Sequence, residues 1–577
     1  MRLFQITSLY LIFFVIFQFN VTDGQVLPEK NYFAPPVDIP IFLSGNFGEI
    51  RATHFHSGID IKTQQVIGKP VYAAADGYVS RIKIQGGGYG KSIYLTHPNG
   101  YVTVYAHLSD YIPSVSEYVR AYQYGEQKFE VDIYPPQDKF HFKQGDLIGM
   151  SGNTGNSGGP HLHFEIRDPL QHPINGLLFD FNITDNIPPT IENLALYPVD
   201  KEGIINGKNE KLIIKPLKQG GKYTLNQHPS VSGKVGFGLE TYDYLNGSGN
   251  RCTIYSIELR IDDTTRYLQE MEKFSFDEVK YVSSHIDYEE KILNNLKIHR
   301  LFPDPNNHLS IYKILENNGV VEFADDTVHH VEIIVKDSYK NRSLLEFDIQ
   351  SNVSKISALN TDVDSSFIKT FYYNAVNTYQ NPDVKVLIPR NVLFRDINFT
   401  YSRIPSDSIA ICDTHNIHTD LVPLGGYYEL ALKAKNIPDE LRNKILLVNI
   451  GRSGTINSFG GKWEDGFVQA RVNKFGKFTM AVDTTAPSIK VIAFRNNSTY
   501  KAGDVISFEI TDDVSGIDEY SGYIDGHWAL FEYDPKSNTL SYTIDKERLA
   551  SDRKHSLVIS VTDGRKNKSV FSGNFIY

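Results

Sequence analysis

Short runs in which apolar and polar residues alternate recur from about residue 70 to the C-terminus of this 577-residue chain. Such runs are typical of β-strands, because successive side chains of a strand point to opposite faces of the sheet. Glycine, proline, asparagine and aspartate separate the runs, and these residues favour turns. The 35 tyrosines and 34 phenylalanines also favour strands and large buried cores. The pattern predicts a mainly β protein with several domains.

The first 24 residues do not follow this alternation. Residues 3–19 form a largely apolar run after the basic Arg2, and a cleavage site is expected near Gly24. This arrangement is typical of a secretory signal peptide over residues 1–24, and an uncleaved membrane anchor is the alternative interpretation. We therefore expect an exported protein of the periplasm or cell envelope, either membrane-associated or secreted.

Six alternating segments with glycine-rich turns between them precede residue 170. The predicted strands are 71–74, 77–84, 91–96, 101–106, 147–150 and 161–166. A longer connection, residues 111–143, separates the fourth strand from the fifth, and its pattern predicts a short helix over 116–124 and a strand over 129–134. Because this connection begins just after His107, we expect it to form a wall of a substrate groove.

Candidate chemistry is concentrated in the last of these strands. His161, His163 and Glu165 alternate with apolar residues, so the two imidazoles share the polar face of the strand. Two adjacent imidazoles suit a metal ion, or a metal ion with a catalytic base. Exposed or hydrogen-bonded histidines without a ligand show the same pattern, so the pair alone leaves both interpretations open.

Two groups upstream add to this pair. His56 and Asp60 lie in an H-x-x-x-D pattern, and His107 occupies a polar position of another alternating run. Zinc accepts imidazole nitrogen and carboxylate oxygen, and catalytic zinc sites use three protein ligands and leave one position for water. His56, Asp60 and one histidine of the pair on the last strand supply such a set. Two histidines then remain for proton transfer.

Six motifs in one order carry a family resemblance. They are His56-x-x-x-Asp60, Ala73-Ala74-Ala75-Asp76-Gly77-Tyr78-Val79, Thr96-His97-Pro98-Asn99-Gly100, Tyr105-Ala106-His107-Leu108, Gly145-Asp146-Leu147-Ile148-Gly149 and Gly155 through His161-Leu162-His163-Phe164. Over about residues 44–168, this series closely resembles the LytM/lysostaphin-type zinc metallopeptidases, which are peptidoglycan endopeptidases. The resemblance implies an antiparallel sheet whose open groove holds one zinc ion per catalytic domain.

The resemblance also implies a role for each residue of the site. His56, Asp60 and His163 match the metal ligands, and His107 and His161 match the two catalytic histidines, whose roles are not divided between them. Inactive relatives that serve as activators have lost some of these five positions. All five are present here, which favours an active enzyme.

Three other residues, His54, Glu165 and His141, are not expected to bind the metal or to transfer protons. His54 lies close to His56 in sequence, but only His56 has the correct spacing to Asp60. Glu165 is expected to orient a histidine or to lie beyond the site. His141, in the long connection, is expected at the surface, and a regulatory metal ligand is the alternative.

Composition and charge narrow the class of partner. The formal net charge is -10, and no basic cluster appears that would suit nucleic acid. Peptidoglycan is the partner that the resemblance implies, and the oligomeric state is not predicted. Cys252 and Cys412 are the only cysteines and lie far apart, so we expect no disulfide, although export would permit one.

The chain after residue 185 contains an internal repeat. Three signals recur in the same order, and they begin at Asp185 and Asp483, at Thr241 and Thr511, and at Val335 and Val561. They indicate two copies of one module that resembles bacterial immunoglobulin-like sandwiches. The first copy contains an insertion with a helical stretch around 288–296. The predicted division is a signal peptide (1–24), a zinc peptidase domain (25–185), an Ig-like module with an insertion (186–353), a β-rich module (354–482) and an Ig-like module (483–577).

Acidic residues occur in turns of both copies. Asp243, Asp512 and Asp513 are candidates for calcium ligands, whereas capping of a turn is the more common role of such aspartates. No catalytic constellation appears after residue 185. We expect these modules to contact partners in the cell envelope.

Two classes of function remain open at this stage. The first is an exported zinc-dependent metalloendopeptidase that hydrolyses the peptide cross-links of bacterial peptidoglycan during cell-wall remodelling. The alternative is a non-catalytic envelope scaffold or wall-binding protein with a vestigial zinc site. The helical H-E-x-x-H motif is absent, so a thermolysin-like mechanism is not expected.

Overall fold

The computed structural model describes residues 29–352, 367–407, 410–435 and 437–577. Strands contain 46% of the residues and helices 8%, and most sheets are antiparallel. This confirms the predicted mainly β class. The predicted signal peptide lies outside the described residues. Within them, no helix is both long enough and apolar enough to cross a membrane. The predicted domains are called the first unit (25–185), the second (186–353), the third (354–482) and the fourth (483–577). Their boundaries stay a prediction.

The first unit is built on a nine-stranded antiparallel sheet. Its elements are β1 (Leu43–Gly45), β2 (Ile59–Lys62), β3 (Pro70–Tyr72), β4 (Gly77–Ile84), β5 (Lys91–Thr96), β6 (Val102–Leu108), β7 (Asp110–Tyr111), α1 (Pro113–Glu126), β8 (Val131–Ile133), β9 (His141–Phe142), β10 (Leu147–Met150), β11 (His161–Arg167) and β12 (Pro173–Ile174). Strands β1-β2-β11-β6-β5-β4-β8 lie side by side in that order, and β3-β10-β7 form a smaller sheet. The histidine-bearing strand β11 is therefore central, between β2 and β6.

Observed elements in this unit follow the predicted ones closely. Three strands, β4, β5 and β10, have the predicted bounds, and the others differ by one or two residues at their ends. The predicted helix over 116–124 is longer. It begins at Pro113, whose fixed φ suits the first helical turn, and it ends before Gln127, which adopts a left-handed conformation. The predicted strand over 129–134 is shortened to β8.

The core of the first unit is shared with the second. Leu162, Phe164 and Ile166, the apolar face of β11, are buried in one large hydrophobic cluster. Leu245 and Cys252 belong to the same cluster, although they come from a loop of the second unit. The two units therefore join through a continuous apolar core.

The second unit is a sandwich of two packed layers with an insertion. Its elements are β13 (Thr190–Pro198), β14 (Ile204–Ile205), β15 (Leu212–Ile214), β16 (Leu217–Gln219), β17 (Lys222–Thr224), β18 (Ser230–Tyr242), β19 (Ser256–Ile261), β20 (Thr264–Glu270), α2 (Val282–His285), α3 (Tyr288–Asn294), β21 (Ile298–Arg300), β22 (Tyr312–Leu315), β23 (Val321–Phe323), β24 (Val328–Lys336) and β25 (Arg342–Ser351). Strands β15-β13-β18 form one layer and β25-β24-β19-β20-β22 the other, with β18 and β25 paired in parallel at one end. Apolar residues of both layers fill the space between them. The predicted helical stretch around 288–296 is α3.

The third and fourth units each contain two sheets. The third has β26 (Phe367–Phe371), β27 (Asn377–Gln380), β28 (Val384–Ile388), β29 (Ile397–Ile404), β30 (Thr414–Ile417), β31 (Tyr428–Lys433), β32 (Ile445–Ile450), β33 (Ile456–Gly460), β34 (Lys462–Glu464), β35 (Phe467–Val472) and β36 (Gly476–Val482). The fourth has β37 (Ser488–Ala493), β38 (Val505–Thr511), β39 (Ile517–Ile524), β40 (His527–Ala529), β41 (Glu532–Asp534), β42 (Thr539–Thr543), β43 (Lys554–Asp563) and β44 (Lys568–Ile576). Cys252 and Cys412 are both buried and unpaired.

The fourth unit folds back against the first. Tyr124 of α1 packs edge-on against Trp528, with ring centroids 5.2 Å apart, and the guanidinium of Arg548 lies over the Tyr124 ring, 4.1 Å from its centroid. Lys91 forms an ion pair of 3.2 Å with Glu532. The helix of the long connection thus contacts the fourth unit, and its role as a groove wall stays a prediction.

Candidate metal centre

The strand order of the first sheet brings the candidate ligands together. On one side of β11, His163 lies opposite Asp60 of β2, and on the other side it lies opposite Ala106 of β6, the neighbour of His107. His161 and His163 are two apart on β11 and share a face. Because β2, β11 and β6 are adjacent, one small region of the sheet receives side chains from three distant segments.

Three ligand atoms converge in this region. Nε2 of His56 lies 3.0 Å from Oδ1 of Asp60 and 3.0 Å from Nδ1 of His163, and the latter nitrogen is also 3.0 Å from the same oxygen. All three residues are buried. Two imidazole nitrogens and one carboxylate oxygen form a donor set that fits zinc.

The second nitrogen of each ligating ring is fixed by an acceptor. Nδ1 of His56 donates to the backbone carbonyl of Asn46 at 2.8 Å, and Nε2 of His163 donates to Oε1 of Glu165 at 2.7 Å. A ring nitrogen that donates carries the proton, so the other nitrogen presents a lone pair. Both lone pairs therefore face the point of convergence.

The carboxylate of Asp60 is held in its ionised form. Its Oδ2 accepts a hydrogen bond of 2.9 Å from Nη2 of Arg51, which leaves Oδ1 directed to the histidines. Burial alone raises the pKa of this carboxyl, yet His56, His161 and His163 hold it well below its usual range when protons on these rings take the place of a metal ion. The group is thus an anionic oxygen ligand at neutral pH.

Glu165 is the centre of a buried network behind the metal ligands. It is 1% exposed, and its carboxylate accepts from His163, from Arg167 at 2.6 Å, from Ser57 at 2.6 Å and from the hydroxyl of Tyr89. Burial alone raises the pKa of Glu165, yet the charge of Arg167 and the hydrogen bond from His163 hold it below its usual range. A fixed carboxylate of this kind orients the ring of His163.

His107 and His161 stand beside the three ligands. Their rings are 4.7 Å apart between centroids, and Nε2 of His161 lies 3.4 Å from Oδ1 of Asp60. Nδ1 of His107 donates to the carbonyl of Thr154 at 2.7 Å, and Nδ1 of His161 donates to the carbonyl of Gly159 at 2.8 Å. Each ring therefore presents an unprotonated Nε2, as a proton acceptor requires.

The glycine-rich turn before β11 and a distorted end of β6 place His107. His107 has φ of 59°, an uncommon conformation for a residue with a side chain, at a place where the pairing register of β5 and β6 shifts. Gly155 passes so close to Gly90 that a Cβ on Gly155 would lie 2.3 Å from the backbone nitrogen of Gly90. Because only glycine permits this close approach, the backbone carbonyl of Thr154 lies within hydrogen-bonding distance of the His107 ring.

Other residues named in the sequence analysis lie elsewhere. His54 is exposed on the loop before His56 and is not one of the converging ligands. His141 is exposed on β9, also outside the cluster. Asn46, Arg51 and Tyr89, which orient the site, lie on loops without a regular pattern, so no signal in the sequence pointed to them.

Comparison with known proteins finds two family models that match parts of the chain. A family model described as peptidase family M23 matches residues 54–124, and a model of a Zu5-like domain matches residues 368–483. The chain is 34% identical over 158 residues to DD-carboxypeptidase/endopeptidase Mpg of Neisseria meningitidis, covering 26% of this chain and 30% of that protein. It is 29% identical over 161 residues to peptidoglycan DD-endopeptidase ShyA of Vibrio cholerae, covering 26% and 31%.

Solved structures also include similar chains. One is a zinc-containing peptidase from Vibrio cholerae, with 25% identity, a TM-score of 0.20, and coverage of 26% of this chain and 41% of that one. The present chain spans less than a third of the length of the two curated relatives named above.

The residues that match the M23 family model and the His-Asp-His cluster lie in the same unit of the fold. Residues 54–124 thus match a LytM-type M23 domain, which confirms the family expected from the six motifs. The matched segment contains His56, Asp60 and His107, whereas His161 and His163 follow it. The Zu5-like match falls on the region that the sequence pattern described only as a β-rich module.

Proposed function

We propose that this protein is an exported, zinc-dependent metalloendopeptidase that hydrolyses peptide cross-links of bacterial peptidoglycan. The observation that carries the proposal is the convergence of three ligand atoms from His56, Asp60 and His163 beside two further histidines. The name of the Vibrio cholerae relative, a peptidoglycan DD-endopeptidase, supports the substrate class. Peptidoglycan lies outside the cytoplasm, in agreement with the predicted signal peptide and a periplasmic or envelope location.

The proposed metal ligands are His56 through Nε2, Asp60 through Oδ1 and His163 through Nδ1. Zinc at such a site supplies Lewis-acid polarisation of the scissile carbonyl and activation of water near neutral pH. One carboxylate among the three ligands leaves the centre with net positive charge, which suits an oxyanion that develops during attack. Asn46, Arg51 and Glu165 supply no ligand and keep the three donors in orientation.

His107 and His161 are the proposed catalytic residues. Their Nε2 atoms carry no proton while Nδ1 donates to a backbone carbonyl, so either ring accepts the proton of the attacking water. The same pair, once protonated, donates to the developing oxyanion and to the leaving amine. The division of these steps between the two rings is left open.

The test uses zinc-loaded full-length protein and isolated cell walls. Wild-type protein is expected to contain about one zinc ion per chain and to release cut muropeptides, identified by mass spectrometry. His107→Ala is expected to retain zinc and to lose cleavage by about a hundred- to ten-thousandfold, the usual contribution of a general acid or base.

His141→Ala is the matched control, because His141 is an exposed histidine of the same unit. It should cut at the wild-type rate. Cleavage by His107→Ala at the wild-type rate would contradict the catalytic assignment. Zinc-loaded wild-type protein that binds the walls without cutting them would support the scaffold alternative.

A further inference from the structure

Three aspartates meet where the first and second units join. Asp185 lies in the link between the units, Asp243 follows β18, and Asp337 follows β24. One carboxylate oxygen from each lies within 4.8 Å of the others. We call this group the junction cluster. Asp243 and Asp337 are each 2% exposed, so solvent screens their mutual repulsion only weakly.

Two carboxylate oxygens of the junction cluster are buried without a hydrogen-bond partner. They are Oδ1 of Asp243 and Oδ2 of Asp185. Unpaired buried charge is among the most costly arrangements in a folded protein. Burial and the carboxylates of Asp185 and Asp337 raise the pKa of Asp243 to about 8. Ionised together, the three carboxyl groups hold more negative charge than their protein partners offset, so the cluster takes up either a proton or a cation.

The second copy of the repeat contains a matching cluster, and there backbone N–H groups donate hydrogen bonds to the carboxylates. Asp483, Asp512 and Asp563 also converge. Strand pairing, which sets Tyr242 opposite Thr190 and Thr511 opposite Ser488, makes Asp512 and not Asp513 the structural counterpart of Asp243. A tight turn after Asp512 directs the N–H groups of residues 514 and 516 to Asp512, and the N–H group of residue 515 to Asp483. Asp512 thus caps a turn. Asp513, the other candidate calcium ligand, is exposed and outside this cluster.

In the first copy a longer loop replaces that turn. Residues 244–251 leave Asp243, bury Leu245 in the core of the first unit, and return to Cys252, which forms two backbone hydrogen bonds with Asp243. In the second copy, backbone N–H groups donate to the clustered carboxylates. In the first copy the loop packs into the first unit instead, and Oδ1 of Asp243 and Oδ2 of Asp185 receive no such hydrogen bond. These two oxygens therefore offer lone pairs that a proton or a bound cation can satisfy.

We propose that the junction cluster binds one hard divalent cation, calcium or magnesium, through Asp185, Asp243 and Asp337. Carboxylate oxygens are the ligands that these ions prefer, and the cluster contains no nitrogen or sulfur donor of the kind that zinc favours. The cation takes the place of the backbone turn of the second copy. This site is separate from the peptidase centre and does not depend on the proposed function.

The bound cation fixes a loop that reaches the peptidase centre. Thr253, next to Cys252, exchanges two hydrogen bonds with the side chain of Asn46, at 2.8 and 2.9 Å. The carbonyl of Asn46 holds Nδ1 of His56. A cation on Asp243 therefore anchors the loop on which the orientation of a metal ligand depends.

The test measures ion binding by the full-length, zinc-loaded protein in buffer stripped of other divalent ions. Calcium chloride is titrated in one arm and magnesium chloride in the other, by calorimetry and by thermal unfolding. We expect a saturable event, and a rise in Tm on the order of 5 °C at about one hundred times Kd. The arm with the lower Kd identifies the ion.

Asp243→Asn and Asp512→Asn form a matched pair, because they change the same position of the two copies. Asp243→Asn should weaken the ion binding at least tenfold and remove most of the Tm rise, without lowering Tm in ion-free buffer, since it removes a buried unpaired charge. Asp512→Asn should keep the binding. Asp185→Asn repeats the test if Asp243→Asn does not fold.

Either of two results would overturn the proposal. One is wild-type protein that neither binds nor is stabilised by calcium or magnesium, which would mean that shared protons neutralise the cluster. The other is an ion effect that survives Asp243→Asn and disappears in Asp512→Asn, which would place the cation in the second copy.

Discussion

The metal centre of the first unit and the junction cluster both bring three ligand atoms within 4.8 Å of one another from distant segments. They differ in what surrounds the ligands. In the metal centre, His107 and His161 stand beside the ligands with free Nε2 atoms. At the junction cluster, the groups acting on Asp243 are two carboxylates and a backbone N–H. Convergence of ligands is common to both, whereas only the metal centre has groups placed for proton transfer.

The two centres also differ in the total charge of their ligands. Two neutral imidazoles and one carboxylate leave a divalent ion with net positive charge, which a hydrolytic centre uses to polarise a carbonyl. Three carboxylates more than neutralise such an ion, so it serves to hold chain segments together. The comparison indicates one chemical centre and one structural centre, and the following predictions test that division.

The largest expected effect is the loss of hydrolysis on removal of a ligand at the metal centre. His163→Ala removes one of three donors, so bound zinc should fall and cleavage of cell walls should drop about a thousandfold or more. Calcium or magnesium binding at the junction cluster should be unchanged in this variant. Metal analysis, muropeptide release and calorimetry measure the three quantities. Complete loss of calcium or magnesium binding together with zinc would contradict the assignment of the second cation to the junction cluster.

A smaller effect is expected from the buried network behind His163. Glu165→Gln preserves the shape of the side chain, but an amide offers only one acceptor oxygen to the donors of His163 and Arg167. Loss of the second acceptor misorients the His163 ring, so zinc affinity should fall about ten- to a hundredfold. Competition with a zinc indicator gives the affinity directly.

The matched control for that change is Glu258→Gln in the second unit. Glu258 also accepts from a neighbouring arginine, Arg260, but lies outside the metal centre. Its substitution should leave zinc affinity at the wild-type value. Equal affinities for wild type and Glu165→Gln would show that the network does not orient His163.

The smallest effect concerns a histidine pair with no catalytic role. His285 and His299 are buried in the insertion of the second unit, 2.8 Å apart between ring nitrogens. Burial, with Lys297 nearby, lowers the pKa of His299 to about 4, and burial also lowers the pKa of His285. The unfolded chain binds protons near pH 6.5 that the folded chain excludes, so stability falls as pH falls through this range.

For His299 alone, the loss of unfolding free energy between pH 7 and pH 5 should be about 2 kcal/mol. Denaturant unfolding at the two pH values measures it. His299→Gln should reduce the difference, whereas His141→Gln, at an exposed site, should preserve it. An identical pH dependence in all three proteins would contradict this prediction.

Much of the first unit follows from its sequence. The alternating pattern located β4, β5 and β10 to the residue, because turns that contain glycine mark where these strands begin and end. The same alternation placed Glu165 on the face of His163, which it contacts. The start of α1 was less predictable, since Pro113 permits a helical turn that the apolar pattern does not mark.

The sequence by itself predicted the strand pattern, because alternation along a strand fixes which side chains share a face. The resemblance carried by the six motifs implied the peptidase family and the five residues proposed for the site. Only the tertiary structure decided which atom of each residue faces the centre, since the partners Asn46, Arg51 and Thr154 come from other segments. It likewise distinguished Asp243 from Asp512. Both follow a strand in matching motifs, but the packing of the next few residues leaves one carboxylate oxygen unpaired and makes the other residue a turn cap.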